Sequence, residues 1–363
     1  MRFFIFLGGI IAMSSWLLAH AQAPASAPAS ADAPPAVKEF LSACDAAYQK
    51  ALKADSRVIA GNDGWLFWPP ELRHLSVGPY WGQAAAGASK AKPAQADPLP
   101  AILDFKKQLD ARGIELILLP VPAKATLYPE LLSPAVPAKP PAEAIDAYDQ
   151  QFMAILRKNG VNVIDLAAPL RQAKAKGQQV YCRQDTHWSP LACRIAAECI
   201  ADEIKARPWL GGIAKQKFQS EPQQAEIAGD LWEAMPQPRP ARERLEFHVV
   251  RPASEAGAEG EALLQQDASA IVLLGDSHCL VFHSGDDMLY RGAGLADHLA
   301  LALGLGVDVC AVKGSGATAA RVDFARNARQ TPGYLAGKKL VIWCFSVSEF
   351  TEGDGWRTVK LSN

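Results

Sequence analysis

The sequence predicts an α/β fold, with a mostly parallel sheet covered by helices on both faces. Three observations carry that expectation. Short apolar runs recur as IELILL from Ile114, VNVIDL from Val161, IVLL from Ile271, VDVCAV from Val307 and LVIWCF from Leu340. Stretches with apolar residues at helical spacing lie between them. Several runs then end abruptly in polar residues or glycine, where strands of such sheets open toward a ligand.

Taken in order, Arg2 precedes an apolar run from Phe3 to Leu18, and Ala19-His20-Ala21 offers small residues at the positions a signal peptidase reads. Two readings stand for residues 1–21, a cleaved signal peptide or an uncleaved signal anchor, and both export the remainder. Residues 22–35, almost entirely Ala, Pro and Ser, read as a flexible tether. Residues 36–363 are left as a single domain. Within it, Ala84 to Pro100 and Ser133 to Pro141 read as surface loops.

Ile102, Phe105 and Leu109 form a helical face that Gly113 stops before the IELILL strand. Ile145, Tyr148, Phe152 and Ile155 form the next, closed by Gly160 ahead of VNVIDL. Ser189-Pro190 reads as N-cap and first residue of a helix running through Leu191, Ile195 and Ile204. A further helix near Ala317 to Arg329 separates the last two strands.

The chain holds 37 Lys and Arg against 38 Asp and Glu, a net charge of −1 with no basic run, which speaks against nucleic acid as a partner. Its seven cysteines form no C-x-x-C pair, which speaks against a zinc ribbon. The odd count leaves at least one thiol outside any intramolecular bridge, and Cys310 and Cys344 fall in strand-like runs as core residues.

Chemistry concentrates in two stretches, RQDTHWSP from Arg183 and GDSH from Gly275. A serine hydroxyl becomes a useful nucleophile only when a base removes its proton, and histidine is the usual base near neutral pH. A carboxylate then fixes the tautomer of the base and stabilises its charged form. Asp185 and His187, two apart on an extended loop, can face one site, and Ser277 would join them from the end of the IVLL strand. His278 is a weaker base, because adjacent residues in a turn seldom face each other. The plain alternatives are a helix cap for Ser277 and a hydrogen-bonded turn for Asp185-Thr186-His187. His74, His248, His283 and His298 lack the spacing of metal ligands, and a serine route needs neither metal nor cofactor.

These motifs carry a resemblance. G-D-S opening a helix, with D-x-H on another loop, is similar to the SGNH hydrolase superfamily, with the motif order permuted and D-x-H in place of D-x-x-H. That order resembles the alginate O-acetyltransferases of the AlgJ/AlgX type. GNDGWLFW from Gly61, ELRHLSVG from Glu71, DTHW, GDSH and VIWCFSVSEF from Val341 follow the family in its order, over Ala36 to Trp356.

The resemblance implies Ser277 as nucleophile, His187 as general base and Asp185 as its orienting acid. It further implies acetyl transfer to hydroxyls of an exopolysaccharide in the periplasm, with acetyl supplied by a membrane-bound O-acyltransferase and other polysaccharide secretion proteins as partners. Two departures accompany it. Ser348-Glu349 stands where the family often has Arg-Glu, and the chain ends at Asn363, so the expected layout is closer to AlgJ than to AlgX.

Oxyanion donors are expected from the Ser277 amide and, through backbone approach at Gly314 and Gly316, from a second group, with a simple turn as the other reading of those glycines. Lys124 is a candidate to attract a uronate, or else a solvated lysine. Trp188 is the aromatic best placed for sugar stacking, whereas Trp65, Phe67, Trp68, Tyr80 and Trp81 divide between stacking and core. A metallophosphoesterase also uses D-x-H and a later G-D, but would further require an Asn-His pair, which the sequence lacks. A secreted carbohydrate acetyl esterase and a non-catalytic secretion scaffold remain the rival functions.

Overall fold

The computed structural model describes residues 33–132, 142–253 and 268–361. The leader, most of the tether and the Ser133 to Pro141 patch lie outside the described residues.

Among the described residues, nine strands form three sheets. β1 (Ile59–Ala60) and β2 (Leu66–Phe67) make a short antiparallel pair. β3 (Glu115–Val121) and β4 (Asn162–Val163) belong to the central sheet. β5 (Phe218–Ile227) and β6 (Glu243–Pro252) form a two-stranded antiparallel arm paired over ten residues. β7 (Ile271–Gly275), β8 (Asp308–Ala311) and β9 (Leu340–Ser346) complete the central sheet, whose order is β4-β3-β9-β7-β8 and whose pairs are all parallel.

The parallel arrangement explains the sequence pattern. β7 and β9 are buried along their whole length. With helices on both faces, neither side of the strand can be polar, so the runs are continuously apolar instead of alternating. The VNVIDL run gives only the two-residue edge strand β4, which pairs with β3 alone.

The expected helices form with the expected signals. Helix Pro98–Asp110 opens on Pro98 with Asp97 capping Leu99, and helix Pro190–Ile204 opens on Pro190 with the Ser189 hydroxyl accepting from the Ala192 amide. Helices Ala147–Lys158 and Thr318–Gln330 also stand where periodicity places them.

Ala84 to Pro100 departs from the surface-loop reading. It contains the helical turns Ala85–Ala88 and Pro93–Gln95, and Ala85, Ala88 and Ala96 are buried. Small, helix-favouring alanines pack closely enough to join the core there. Sequence reading also did not single out helix Pro35–Lys53 or the β5–β6 arm. All seven cysteines are free thiols, and every one but Cys199 is buried. Among the described residues, no helix is long and apolar enough to cross a membrane.

Candidate active site

The carboxyl ends of the central strands converge on one cleft. β7 runs into Asp276-Ser277-His278, β8 leads to Lys313 and Gly314, and β9 delivers Ser346, Ser348 and Glu349. All of these line a cavity of about 260 Å³ together with Asp185, His187 and Asp230. Ligands of open parallel sheets lie beyond the strand ends for this reason: side chains from several strands meet there while the backbone ladder is satisfied behind them.

Gly275 has a packing reason. A Cβ at this position would lie 1.6 Å from the Cys344 carbonyl oxygen of the neighbouring strand β9. The chain then turns, and Asp276 fixes the turn. One carboxylate oxygen accepts from the His278 amide at 2.8 Å, and the other accepts from the Ser346 amide of β9 at 2.8 Å.

Ser277 is thereby aimed at the 183–190 loop. Its hydroxyl lies 2.7 Å from His187 Nε2. His187 Nδ1 lies 2.6 Å from Asp185 Oδ1, which also accepts the His187 backbone amide at 2.9 Å. Asp185 Oδ2 accepts the Asp230 amide at 2.8 Å. Ninety positions of sequence separate Ser277 from His187, yet the three side chains form one hydrogen-bonded file. This connectivity lets a hydroxyl proton move onto the imidazole while a fixed carboxylate stabilises the charge.

The electrostatics agree with the geometry. Burial disfavours a charged His187, but the adjacent Asp185 carboxylate outweighs it and carries the pKa from 6.5 up to about 9. Burial would likewise raise Asp185, and the His187 contact with the Asp230 and His187 amides holds it well below the usual carboxylate range.

The loop itself is anchored from below. Lys124 Nζ donates to the carbonyl oxygens of Asp185 at 2.5 Å and Leu66 at 2.8 Å, surrounded by the rings of Trp65, Phe67 and Tyr181. It is completely buried, with its pKa lowered by that burial. Neither sequence reading of Lys124 holds: it is no solvated lysine, and it has no surface to offer a uronate. Trp188 is corrected in the same way. It is fully buried against His278, so no sugar can stack on it. Trp65, Phe67 and Tyr80 are core, whereas Trp68 is the tryptophan that reaches the cleft.

Gly316 is also displaced from its expected part. It packs against Asp276 and Phe345, with its amide and that of Ala317 facing the Glu349 carboxyl, and Gly314 is the glycine that lines the cleft. His278 Nδ1 is paired to Asp276 at 3.0 Å, and no hydrogen bond joins it to Ser277.

Two cleft carboxyls escaped the sequence reading. Burial pushes Glu71 up to about 7, with Lys124 and its backbone amide pulling it back, and pushes Glu349 up to about 8, helped by Asp276. Glu71 lay inside a quoted motif and Glu349 beside a noted departure, but only burial marks them as unusual. Asp185, His187 and Asp230 also place one ligand atom each within 4.8 Å of one another, a grouping a cation could use. Those atoms are engaged, however: His187 and the Asp230 amide occupy Asp185, and the Thr186 amide and hydroxyl occupy Asp230.

Comparison with known proteins places this geometry in context. Residues 58–347 match a family model described as SGNH hydrolase-like domain, acetyltransferase AlgX. The chain is 31% identical over 227 residues to the probable alginate O-acetylase AlgJ of Pseudomonas putida, covering 61% of this chain and 54% of that one. To the protein of the same name in Pseudomonas syringae pv. tomato it is 32% identical over 229 residues, with coverage of 61% and 54%. It thus spans about half the length of the curated relatives it matches. Among solved structures, the O-acetyltransferase domain of Pseudomonas putida AlgJ aligns with a TM-score of 0.57 at 26% identity, covering 81% of this chain and 91% of that one. Pseudomonas aeruginosa AlgX shares the fold, with a TM-score of 0.58 at 22% identity and coverage of 80% and 62%.

Proposed function

The chain belongs to the family of SGNH hydrolase-like acetyltransferase domains of the AlgX type, and from that premise we propose that it is a periplasmic O-acetyltransferase acting on an alginate-like exopolysaccharide. The observation that carries the proposal is the hydrogen-bonded file Ser277–His187–Asp185 at the floor of the strand-end cleft.

In the proposed reaction, Ser277 Oγ attacks the carbonyl carbon of a donor acetyl ester as its proton passes to His187 Nε2. Asp185 stabilises the resulting imidazolium and keeps Nδ1 as the protonated nitrogen. The tetrahedral oxyanion is met by the Ser277 amide and by backbone at Gly314. Collapse releases the donor alcohol, which takes the proton from His187 and leaves acetyl on Ser277. A sugar hydroxyl then enters, gives its proton to His187 and attacks the acyl-serine; the proton returns to Ser277 as the acetylated sugar departs.

The alginate-like acceptor is supported by the names of the relatives, which are probable alginate O-acetylases. A membrane-bound O-acyltransferase as acetyl supplier, other secretion proteins as neighbours and the periplasmic location rest on the resemblance and on the export signal read in residues 1–21.

The test is incubation of the full chain with an acetyl ester, with and without oligomannuronate. Acceptor-stimulated donor turnover accompanied by acetylated sugar is the expected result. Donor hydrolysis without sugar acetylation selects the carbohydrate esterase, and no turnover in either arm selects the scaffold.

A further inference from the structure

The connection between β5 and β6 folds back onto the loop that carries Asp185 and His187. It holds Gly229 and the short helix Asp230–Ala234. Gly229 lies so close to the loop that a Cβ there would stand 2.3 Å from the Gln184 carbonyl oxygen. The Trp232 amide donates to that carbonyl at 2.9 Å, and the Asp230 amide donates to Asp185 Oδ2 at 2.8 Å. In the opposite direction, Asp230 Oδ1 accepts the Thr186 amide at 2.8 Å, and Oδ2 accepts the Thr186 hydroxyl at 2.7 Å.

Thr186 stands between the base and its orienting acid, so its conformation sets how the two face each other. Its hydroxyl oxygen lies 3.4 Å from His187 Nδ1. Because the hydroxyl proton is directed at Asp230, the oxygen turns a lone pair and not a proton toward Nδ1. A hydroxyl donating to Nδ1 would favour the tautomer protonated on Nε2, which cannot take a proton from Ser277. Asp230 thus keeps a competing donor away from the nitrogen that Asp185 binds directly.

This arrangement works against stability. Desolvation in the cleft and the neighbouring Asp185 charge both raise the Asp230 pKa, while His187 and the Thr186 contacts pull it back. Two carboxylates side by side repel, and an asparagine would keep an oxygen for the backbone contact without that repulsion. A charge held at such a cost beside a nucleophile and its base points to a part in the chemistry.

We propose that Asp230 is a positioning residue for acetyl transfer, fixing the Asp185-Thr186-His187 loop in the conformation that presents Nε2 to Ser277. The inference rests on the acyl-serine reading above, and it adds to the file a side chain supplied by the β5–β6 connection.

The experiment compares Asp230→Asn and Asp230→Ala with wild type in acetyl release from p-nitrophenyl acetate by the full chain. The thermal transition and the proton NMR resonance of His187 Nδ1–H are followed in the same samples. Asp230→Ala should lower kcat about 100-fold with KM nearly unchanged, the effect of displacing a reacting group by about 1 Å, and its Nδ1–H resonance should broaden and vanish. Asp230→Asn keeps an acceptor for the Thr186 amide but turns an NH2 toward the hydroxyl. It should recover about tenfold of the loss and melt at or above the wild-type temperature, because the repulsion is gone. A purely structural Asp230 would lower Tm in both variants and leave kcat of the folded protein unchanged. That result, or a sharp Nδ1–H resonance in Asp230→Ala, overturns the proposal. Ser277→Ala separates this inference from the reading beneath it. If wild type releases no acetyl, or Ser277→Ala releases it equally well, the acyl-serine reading fails and the resonance alone decides whether Asp230 holds the loop. If Ser277→Ala is inactive and both Asp230 variants keep wild-type kcat, the reading stands and this inference falls.

Discussion

Asp185→Asn is the substitution that most directly tests the hydrogen-bonded file. Asp185 accepts from three groups, His187 Nδ1 and the His187 amide on one oxygen and the Asp230 amide on the other. An asparagine cannot reproduce this. With its amide nitrogen toward Asp230, two N–H donors face each other. With the nitrogen toward His187, Nδ1 becomes an acceptor, and Nε2 then carries the proton and cannot take one from Ser277. The charge is lost in both orientations. Raising the His187 pKa from 6.5 to about 9 against the burial penalty corresponds to about 3 kcal/mol of net preference for the imidazolium, or roughly 300-fold. The tautomer effect acts in the same direction. The assay is acetyl release from p-nitrophenyl acetate by a variant shown to be folded by its thermal transition. Wild-type activity should rise with pH through an ionisation above the ordinary histidine value, since only neutral His187 accepts the serine proton and Asp185 favours the charged form. The limb therefore stands above the 6 to 7 that an unperturbed histidine gives. In Asp185→Asn burial acts without the carboxylate, and the limb should move down in pH. A folded variant within about tenfold of wild type, with its pH limb unmoved, would refute the assignment of Asp185.

The remaining expectations concern the serine, the anchor beneath it and the cleft carboxyls. Ser277→Ala should lower acetyl release by several orders of magnitude, and adding His187→Ala should cost almost nothing more; losses that multiply in the double variant break the unit. Lys124→Met frees the Asp185 and Leu66 carbonyls from their buried donor, so acetyl release should fall about 100-fold through loop displacement, and a wild-type rate in the folded variant removes Lys124 as a positioning residue. Gly229→Ala would place a Cβ 2.3 Å from the Gln184 carbonyl and 2.7 Å from Asp185 Cβ; a stability loss of about 2 kcal/mol by urea titration is expected, and an unchanged midpoint contradicts that close approach. Glu349 is raised from 4.5 to about 8, so its contribution to stability is complete below pH 4.5 and lost as pH climbs through about 8. Glu349→Gln should make that decline shallower in urea titrations at pH 5, 7 and 8.5, and an identical slope in wild type and variant rules the contribution out.

The sequence alone determined the layered α/β architecture and the residues at its strand ends. A strand buried on both faces has no choice but to be apolar, so IVLL and LVIWCF announce themselves, and Ser189-Pro190 announces a helix start through local capping chemistry. The G-D-S and D-T-H groups were legible for the same reason: each is a short polar interruption at a predictable place. Tertiary structure decided what no local pattern encodes. It brought Ser277 to His187 across ninety positions, sank Lys124 and Trp188 out of reach of solvent, and drew Glu71 and Glu349 into the cleft. It also folded the β5–β6 arm, an alternating polar pattern, so that one face of β6 meets Arg194 and His298. Burial and pairing are sums over neighbours distant in sequence, and a lysine reads the same in a chain whether it will meet water or two carbonyl oxygens. Its desolvation, and with it its role, exists only once the fold has closed around it.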